Sequence, residues 1–530
     1  MINTRLVQKY PKGTSPVVYG TAGFRMKADL LDYVTFTVGI IASLRSKKCG
    51  GQAIGVMVTA SHNPPQDNGV KVVDPYGDML QASWETYATQ LANADHELLS
   101  SVVASIVSKE NISLGVEANV IIGKDSRESS DRLAQAVADG VSVIENGLSK
   151  DYGLLTTPQL HYLTRCINDS QFGVPTEEGY YKKMADSFME IFKLNHDNEG
   201  TKISITIDNA NGVGAPKVSE LLGTYLNSVI QAETVNTSYD IPSKLNVECG
   251  ADFVKTNQIL PGGVKPITNQ LYASFDGDAD RLICYYQNFK GQFRLLDGDK
   301  LSTLIASFFQ KVLLDLPELK LDIGVIQTAY ANGSSTQYIQ DVLKIPVRCT
   351  PTGVKHLHHE ALNFEVGIYF EANGHGTVVF SKEGEAKLFD YKPQNEVELK
   401  ALIALQQFSK LINQTVGDAI SDLLVVLMIL NYLKLSPDQW DNSYEDLPNK
   451  LIKVIVPDRY LFKTTNAERT LVEPVGLQEK IDELVKKYPD GRSFVRASGT
   501  EDAVRVYAEA STREGVNELV QLVGQLVENN

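Results

Sequence analysis

Three aspartates at alternate positions, Asp276, Asp278 and Asp280, stand in the run Asp-Gly-Asp-Ala-Asp-Arg after the apolar stretch Leu271–Phe275. Carboxylates spaced this way can converge on one hard cation, and oxygen ligands suit magnesium or calcium. A calcium loop wants glycine at its sixth position and glutamate at its twelfth; Arg281 and Gln287 stand there instead. Three carboxylates with few other ligands leave positions for a substrate oxygen, as magnesium sites commonly do. A second run, Thr59-Ala60-Ser61-His62-Asn63-Pro64, follows the apolar strand Ile54–Val58. Its composition predicts an exposed loop at a strand end, offering a hydroxyl beside an imidazole as a nucleophile. A serine and histidine adjacent in sequence rarely form a triad, so none is predicted.

A third run, Glu371-Ala372-Asn373-Gly374-His375-Gly376, follows Val366–Phe370. A carboxylate and an amide flanked by glycines can approach vicinal sugar hydroxyls closely. The fourth is Arg496-Ala497-Ser498-Gly499-Thr500, with Arg505 beyond it. Hydroxyls, backbone N–H groups and two guanidiniums suit phosphate. Arg505 alternates with Val504 and Val506 and so points away from the core. Arg25, just after the turn Thr21-Ala22-Gly23, and Lys71, ten residues past Ser61, add cations. Taken singly, each feature also fits a polar turn, an acidic surface turn or a surface charge.

The elements that must carry these loops follow one local grammar: an apolar strand, a small or polar loop, then a helix. It occurs at Val120–Ile122 with a helix from Asp131, at Ile203–Ile207 with a helix from Pro216, and at Ile323–Gln327 with a helix ending near Leu343. The pattern predicts three similar α/β domains with parallel or mixed sheets. The C-terminal part predicts a smaller α+β unit. Its strands are Leu451–Val456, Ser493–Arg496 and Ala503–Ala510, with helical spacing over Leu477–Tyr488 and a capping box of Ser511 and Glu514 opening a last helix. Ser436–Asn449 reads as the linker.

A length of 530 residues predicts roughly three to five domains. The net charge of −15 argues against nucleic-acid binding, so an anionic substrate needs local basic clusters. Five scattered cysteines without a Cys-x-x-Cys fit a reducing compartment, and the expected location is cytoplasmic. The polar stretch Met1–Lys12 has no apolar signal core, and the apolar run Leu423–Leu430 is too short to span a bilayer; a buried helix is expected there.

Taken together and in order, the four loops resemble those of the α-D-phosphohexomutase superfamily. Its members carry a phosphoserine loop, a metal loop, a sugar-binding loop and a phosphate-binding loop. The similarity covers nearly the whole chain, carried most specifically by Thr59–Leu80 (TASHNPPQDNGVKVVDPYGDML), Phe275–Arg281 (FDGDADR) and Tyr369–Thr377 (YFEANGHGT). Many glucose and mannose mutases have Gly-Glu-x-Ser-Gly-His in the sugar loop. Here Asn373 replaces the serine, the pattern of the branch that acts on N-acetylglucosamine phosphates. Ala497 departs from the common proline and leaves the donors in place.

The resemblance implies a heart-shaped α/β protein of four domains around a central cleft: 1–165 with the phosphoserine loop, 166–291 with the metal loop, 292–440 with the sugar loop and 441–530 with the phosphate loop. It implies interconversion of N-acetylglucosamine 6-phosphate and 1-phosphate on the way to UDP-N-acetylglucosamine. Ser61 would be phosphorylated, Mg2+ would sit on Asp276, Asp278, Asp280 and the Ser61 phosphate, and a sugar 1,6-bisphosphate would be intermediate and activator. Lys71, His62, Arg25 and Arg281 would line the catalytic site, with Lys71 the first choice of base. Thr352, Gly353, Glu371, Asn373, His375, Arg496, Ser498, Gly499, Thr500 and Arg505 would bind substrate. The partners expected are small sugar phosphates, with no nucleic acid and no membrane, and the chain is expected to be a monomer. A phosphoglucomutase or phosphomannomutase, a non-catalytic sugar-phosphate-binding regulator and a magnesium phosphatase are the alternatives.

Overall fold

Short apolar runs become strands that are buried on both faces, and three sheets repeat one pattern. The computed structural model describes residues 4–195, 200–498 and 503–529. The first sheet contains β1 (Phe24–Lys27), β2 (Ala53–Val58), β3 (Asp67–Val73), β4 (Ala118–Lys124) and β5 (Gly147–Leu154), in the order β1-β3-β2-β4-β5. The second contains β6 (Ile203–Asp208), β7 (Ile230–Val235), β8 (Tyr272–Phe275), β9 (Leu282–Gln287) and β10 (Phe293–Leu296), in the order β10-β9-β8-β6-β7. Along each order, two antiparallel pairings are followed by two parallel ones.

The third sheet contains β11 (Ile323–Thr328), β12 (Val347–Thr350), β13 (Val366–Phe370) and β14 (Gly376–Phe380). From β14 it runs antiparallel, parallel, parallel, and among the described residues it has no outermost antiparallel strand. The strands β2, β8, β11 and β13 are buried throughout, as strands covered on both faces must be. The repeat gives the chemistry-bearing loops equivalent places. The serine loop joins β2 to β3, the aspartate loop joins β8 to β9, and the Glu371 loop joins β13 to β14. Each is the turn from a buried strand into its antiparallel neighbour.

The residues up to Asp297, with Ile403–Lys434, form one compact unit, and Gly298–Leu402 with the chain from Leu435 onward forms a second. In the first unit the helices Asp32–Lys48 and Ser130–Ser142 cross at Gly39 and Gly140. A Cβ on Gly140 would lie 1.9 Å from the Phe36 carbonyl oxygen, so only glycine allows that approach. The apolar run Leu423–Leu430 lies in the helix Ala419–Leu433, which packs on β9 and the helix Glu177–Phe192. Asp418 caps this helix and accepts from the buried Tyr180 hydroxyl. Among the described residues, no helix is long and apolar enough to cross a membrane.

The second unit adds β15 (Asn449–Ile455), the hairpin β16 (Lys463–Thr465) and β17 (Thr470–Glu473), then β18 (Arg492–Ala497) and β19 (Ala503–Glu509). The last sheet is antiparallel, ordered β15-β19-β18. The capping box expected at Ser511 and Glu514 is not formed. Thr512 is the cap and accepts from Gly515 N–H, and glycine at that third position has no side chain to reach back. Ser511 N–H donates to the Pro489 carbonyl instead.

The expected linker Ser436–Asn449 is firmly held. Trp440 is buried, and its indole donates to the Lys300 carbonyl. The buried Lys300 ammonium donates to the Asp441 and Tyr444 carbonyls at 2.8 and 2.7 Å, and lies 3.3 Å from Asp441 Oδ1 and 3.7 Å from the Tyr444 ring centre. Lys300→Ala should therefore cost about 3–5 kcal/mol, the usual cost of breaking a buried charge pair. Urea unfolding of the variant measures it; a loss under about 1 kcal/mol would show that the linker does not depend on this cation.

Candidate active site

Ser61 sits where β2 ends, in the left-handed region with φ 51°. The sequence predicts an exposed loop, but Thr59, Ala60 and Ser61 are buried. The reason is Arg127, whose own side chain is fully buried. Its Nη2 donates to the carbonyls of Ser61 and Asn63, both at 2.9 Å, and its Nη1 to those of Pro64 and Asp67 at 2.6 and 3.0 Å. Asp125 neutralises it at 3.0 Å and also accepts from the Thr59 and Ser130 hydroxyls. Asn246 Nδ2 adds bonds to the Ser61 and Asn63 carbonyls. The loop is thus wrapped around an internal cation.

The aspartate loop lies directly against it. A Cβ on Gly277 would come within 2.5 Å of the Ser61 carbonyl oxygen, so this contact requires glycine. Ser61 Oγ donates to Asp276 Oδ2 at 2.5 Å. Asp276 Oδ1 accepts from the backbone N–H groups of Asp280 and Arg281, and Ala279 makes the turn with φ 57°. One oxygen from each of Asp276, Asp278 and Asp280 falls within a cluster 4.8 Å across, and all three residues are buried. Burial, with Asp280 and Asp278 beside it, pushes the Asp276 carboxyl well above the usual carboxylate range.

Four side chains surround this pair of loops. Lys71 Nζ is 3.5 Å from Asp280 Oδ2 and 3.7 Å from Asp278 Oδ2. Arg281 Nε is 3.8 Å from Asp276 and 3.9 Å from Asp280. Burial pulls the Arg25 guanidinium down from its ordinary value, with Asp278 opposing, and its Nε is buried without a hydrogen-bond partner. Desolvation, reinforced by Arg281 and Arg25, pulls the His62 imidazole down to about 3, so its ring is neutral near pH 7. His62 Nδ1 is 3.5 Å from Ser61 Oγ, too long for a strong hydrogen bond.

The second unit carries the other two loops. Asn373 Nδ2 donates to Glu371 Oε2 at 3.2 Å, His375 N–H donates to Asn373 Oδ1, and Gly374 turns the loop at φ 87°. His375 is buried. Arg496 on β18 stands directly opposite Arg505 on β19, and Arg505 stands opposite Lys453 on β15. Directly paired residues share a face, so three basic side chains form a row across the sheet. Ser498 N–H donates to the Ala503 carbonyl; Gly499 and Thr500 lie outside the described residues. Thr352 and Gly353 precede the helix Val354–Ala361, and Gly353 has φ 126°.

Reading the sequence misses Arg127, Asn246, Lys453, Glu468 and Thr157. Arg127 left one trace, its place in the Asp-Ser-Arg run that directly follows β4 beside β2. Thr157 opens the helix Thr157–Asn168 under a Thr156–Gln159 capping box. Its hydroxyl donates to Asp278 Oδ2 at 2.6 Å and its N–H to the Asp278 carbonyl at 3.2 Å.

Models of known domains match four stretches of the chain. Models of phosphoacetylglucosamine mutase domains II and III match residues 170–283 and 297–435. Models of the phosphoglucomutase/phosphomannomutase domain I and C-terminal domain match 26–98 with 89–174, and 451–524. The phosphoacetylglucosamine mutase of Candida albicans is 64% identical over 98% of this chain and 97% of its own length. The chain belongs to the phosphoacetylglucosamine mutase family. The human member is 50% identical, covering 96% of this chain and 93% of its own length. A crystal structure of N-acetylglucosamine-phosphate mutase in its substrate complex superimposes with a TM-score of 0.97 at 64% identity, over 99% of each chain. The Aspergillus fumigatus N-acetylphosphoglucosamine mutase, in complex with GlcNAc-6P and magnesium, gives 0.94 at 48% identity, over 99% of this chain and 98% of its own. The fold is the four-domain phosphohexomutase fold.

The aspartate cluster fits the magnesium ion of this family. Its donors are all hard carboxylate oxygens, and Asp278 Oδ1 is buried with no hydrogen-bond partner. Thr157 holds the other oxygen of that carboxylate and would orient it toward a metal bound by the cluster. Thr157→Val should weaken magnesium binding about 10-fold or more, and Thr157→Ser should restore it. Manganese titration followed by electron paramagnetic resonance reads this without turnover; equal affinity in Thr157→Val and the parent chain would refute the role.

Proposed function

We propose that the chain interconverts N-acetylglucosamine 6-phosphate and N-acetylglucosamine 1-phosphate, with Ser61 as the phosphorylated residue and a sugar 1,6-bisphosphate as intermediate. The observation that carries the reading is Ser61 Oγ bonded at 2.5 Å to one member of a three-aspartate cluster. Family membership and the substrate and magnesium complexes of close relatives support it. A relative also binds glucose 1,6-bisphosphate when a serine is replaced by alanine.

In the first half-reaction a hydroxyl oxygen of the sugar phosphate attacks the phosphorus on Ser61. The new P–O bond forms as the bond to Ser61 Oγ breaks. Ser61 Oγ departs near the Arg281 guanidinium and takes up, by way of Lys71, the proton that the sugar hydroxyl releases. The hydroxyl proton passes to Lys71, whose Nζ lies 3.5 Å from Asp280 Oδ2 and 3.7 Å from Asp278 Oδ2. When bound by Asp276, Asp278, Asp280 and an oxygen of phosphorylated Ser61, magnesium supplies electrostatic stabilisation of the charge on the transferring group. The bisphosphate then presents its other phosphate to Ser61, and the steps run in reverse.

Arg496, Ser498, Arg505, Thr352 and Gly353 grip the phosphate that is not reacting, together with Gly499 and Thr500. Glu371, Asn373 and His375 hold the sugar. The same reading divides the chain at 1–165, 166–291, 292–440 and 441–530, and takes it as a cytoplasmic monomer that binds no nucleic acid. The net charge of −15 supports the reading that no nucleic acid is bound, and the five free cysteines support a reducing compartment.

Ser61→Ala should abolish turnover while the fold and the binding of sugar phosphates persist. A purified variant with near-parental turnover would overturn the mechanism. Arg505→Ala should raise KM about 10- to 100-fold for both sugar phosphates alike, the scale of one charge-assisted hydrogen bond. Steady-state kinetics in both directions checks this, and a large effect in one direction only contradicts a shared phosphate grip.

A further inference from the structure

The phosphate site of the second unit already holds an anion, supplied by the chain itself. Glu468 Oε1 accepts from Arg496 Nε at 2.7 Å. Its Oε2 accepts from Thr352 N–H at 2.9 Å and from the Thr352 hydroxyl at 2.5 Å. A guanidinium, a backbone N–H and a hydroxyl are the donor types that bind phosphate oxygens. Both partners are among the residues read above as substrate-binding.

The backbone that delivers Glu468 is strained. It lies in the turn between β16 and β17, where Asn466, Ala467 and Glu468 have φ of 52°, 55° and 66°. Three successive residues with side chains in the left-handed region are costly, and such a conformation persists only where contacts compensate it. Arg469 closes the turn through the Asn466 carbonyl and side chain, and the contacts of Glu468 anchor its tip. The row of Lys453, Arg505 and Arg496 gives a second reason for the contact. Like charges facing one another across strands repel, and a carboxylate bound to one of them offsets that repulsion.

We propose that Glu468 is a tethered counter-anion of the phosphate site: it occupies Arg496 and Thr352 when substrate is absent, and the non-reacting phosphate of the substrate displaces it. This rests on the reading of Arg496 and Thr352 as phosphate-binding residues. Two anions cannot share the same donors, so substrate affinity is reduced by the fraction of molecules in which Glu468 is bound. The reaction gains from that competition. The bisphosphate must be released from this grip to turn over, and a carboxylate waiting at the same donors keeps the grip from becoming too tight.

The test uses the full chain and two probes, N-acetylglucosamine 6-phosphate and inorganic phosphate, titrated by calorimetry. Glu468→Gln keeps the size and removes the charge; it should tighten both probes by roughly 3- to 10-fold, and KM should fall by a similar factor. Glu468→Ala should do the same, which guards against an effect peculiar to the glutamine. Unchanged or weaker binding in both variants overturns the proposal. Arg496→Ala separates the two layers of argument. If it weakens both probes while the Glu468 variants do not tighten them, only the role of Glu468 falls. If it leaves both probes unaffected, the assignment of Arg496 to phosphate falls, and the role of Glu468 falls with it.

Discussion

The Arg127 guanidinium donates to four backbone carbonyls of the serine loop, and most of the reactive group is arranged around that fact. Carbonyls normally turn toward water or a ladder partner. Here they converge on one buried cation, which forces Ser61 into a left-handed conformation and turns its hydroxyl to Asp276. A buried guanidinium is tolerable only when it is paired and its donors are used, and Asp125 and the carbonyls meet both conditions. Asp125 in turn fixes Thr59 through its hydroxyl, so the loop is braced at both ends.

Charge governs the rest of the site at short range. The chain is strongly acidic, yet the serine and aspartate loops are lined by Arg25, Lys71 and Arg281, and the last sheet by Lys453, Arg505 and Arg496. These cations do more than attract an anionic substrate. Together with burial, Arg281 and Arg25 keep His62 neutral, so its ring offers a hydrogen bond rather than a charge. Burial, with Asp280 and Asp278 pressed beside it, holds the Asp276 carboxyl well above the usual carboxylate range.

The repeated sheet explains why such distant residues do related work. In three sheets the reactive loop is the turn from a buried strand into its antiparallel neighbour. That turn is short and its ends are fixed by ladder bonds, so the side chains it carries are placed with little freedom. The last sheet is built differently, but there too Arg496 and Arg505 lie on consecutive antiparallel strands, β18 and β19.

Much of this was legible along the chain. Apolar runs predicted the strands because burial on both faces leaves an uninterrupted hydrophobic stretch. The alternation of Asp276, Asp278 and Asp280 announced a cation site because its ligands are local in sequence. The final helix cap was misplaced by one residue, since Ser511 and Thr512 carry similar hydroxyls and only backbone geometry separates them. What depends on pairings between distant residues was hidden. Arg127 lies 66 positions from Ser61, Thr157 lies 121 from Asp278, and Glu468 lies 116 from Thr352. Local composition carries no record of such pairings. The sequence by itself determined which residues could do chemistry and that strands would present them on loops. Only the tertiary structure decided that the serine loop is buried rather than exposed, that Thr157 holds the Asp278 carboxylate, and that Glu468 is bonded to Arg496 and Thr352. Each of these is a contact made across the fold, where the energy of a hydrogen bond or an ion pair depends on the burial and partners that packing supplies.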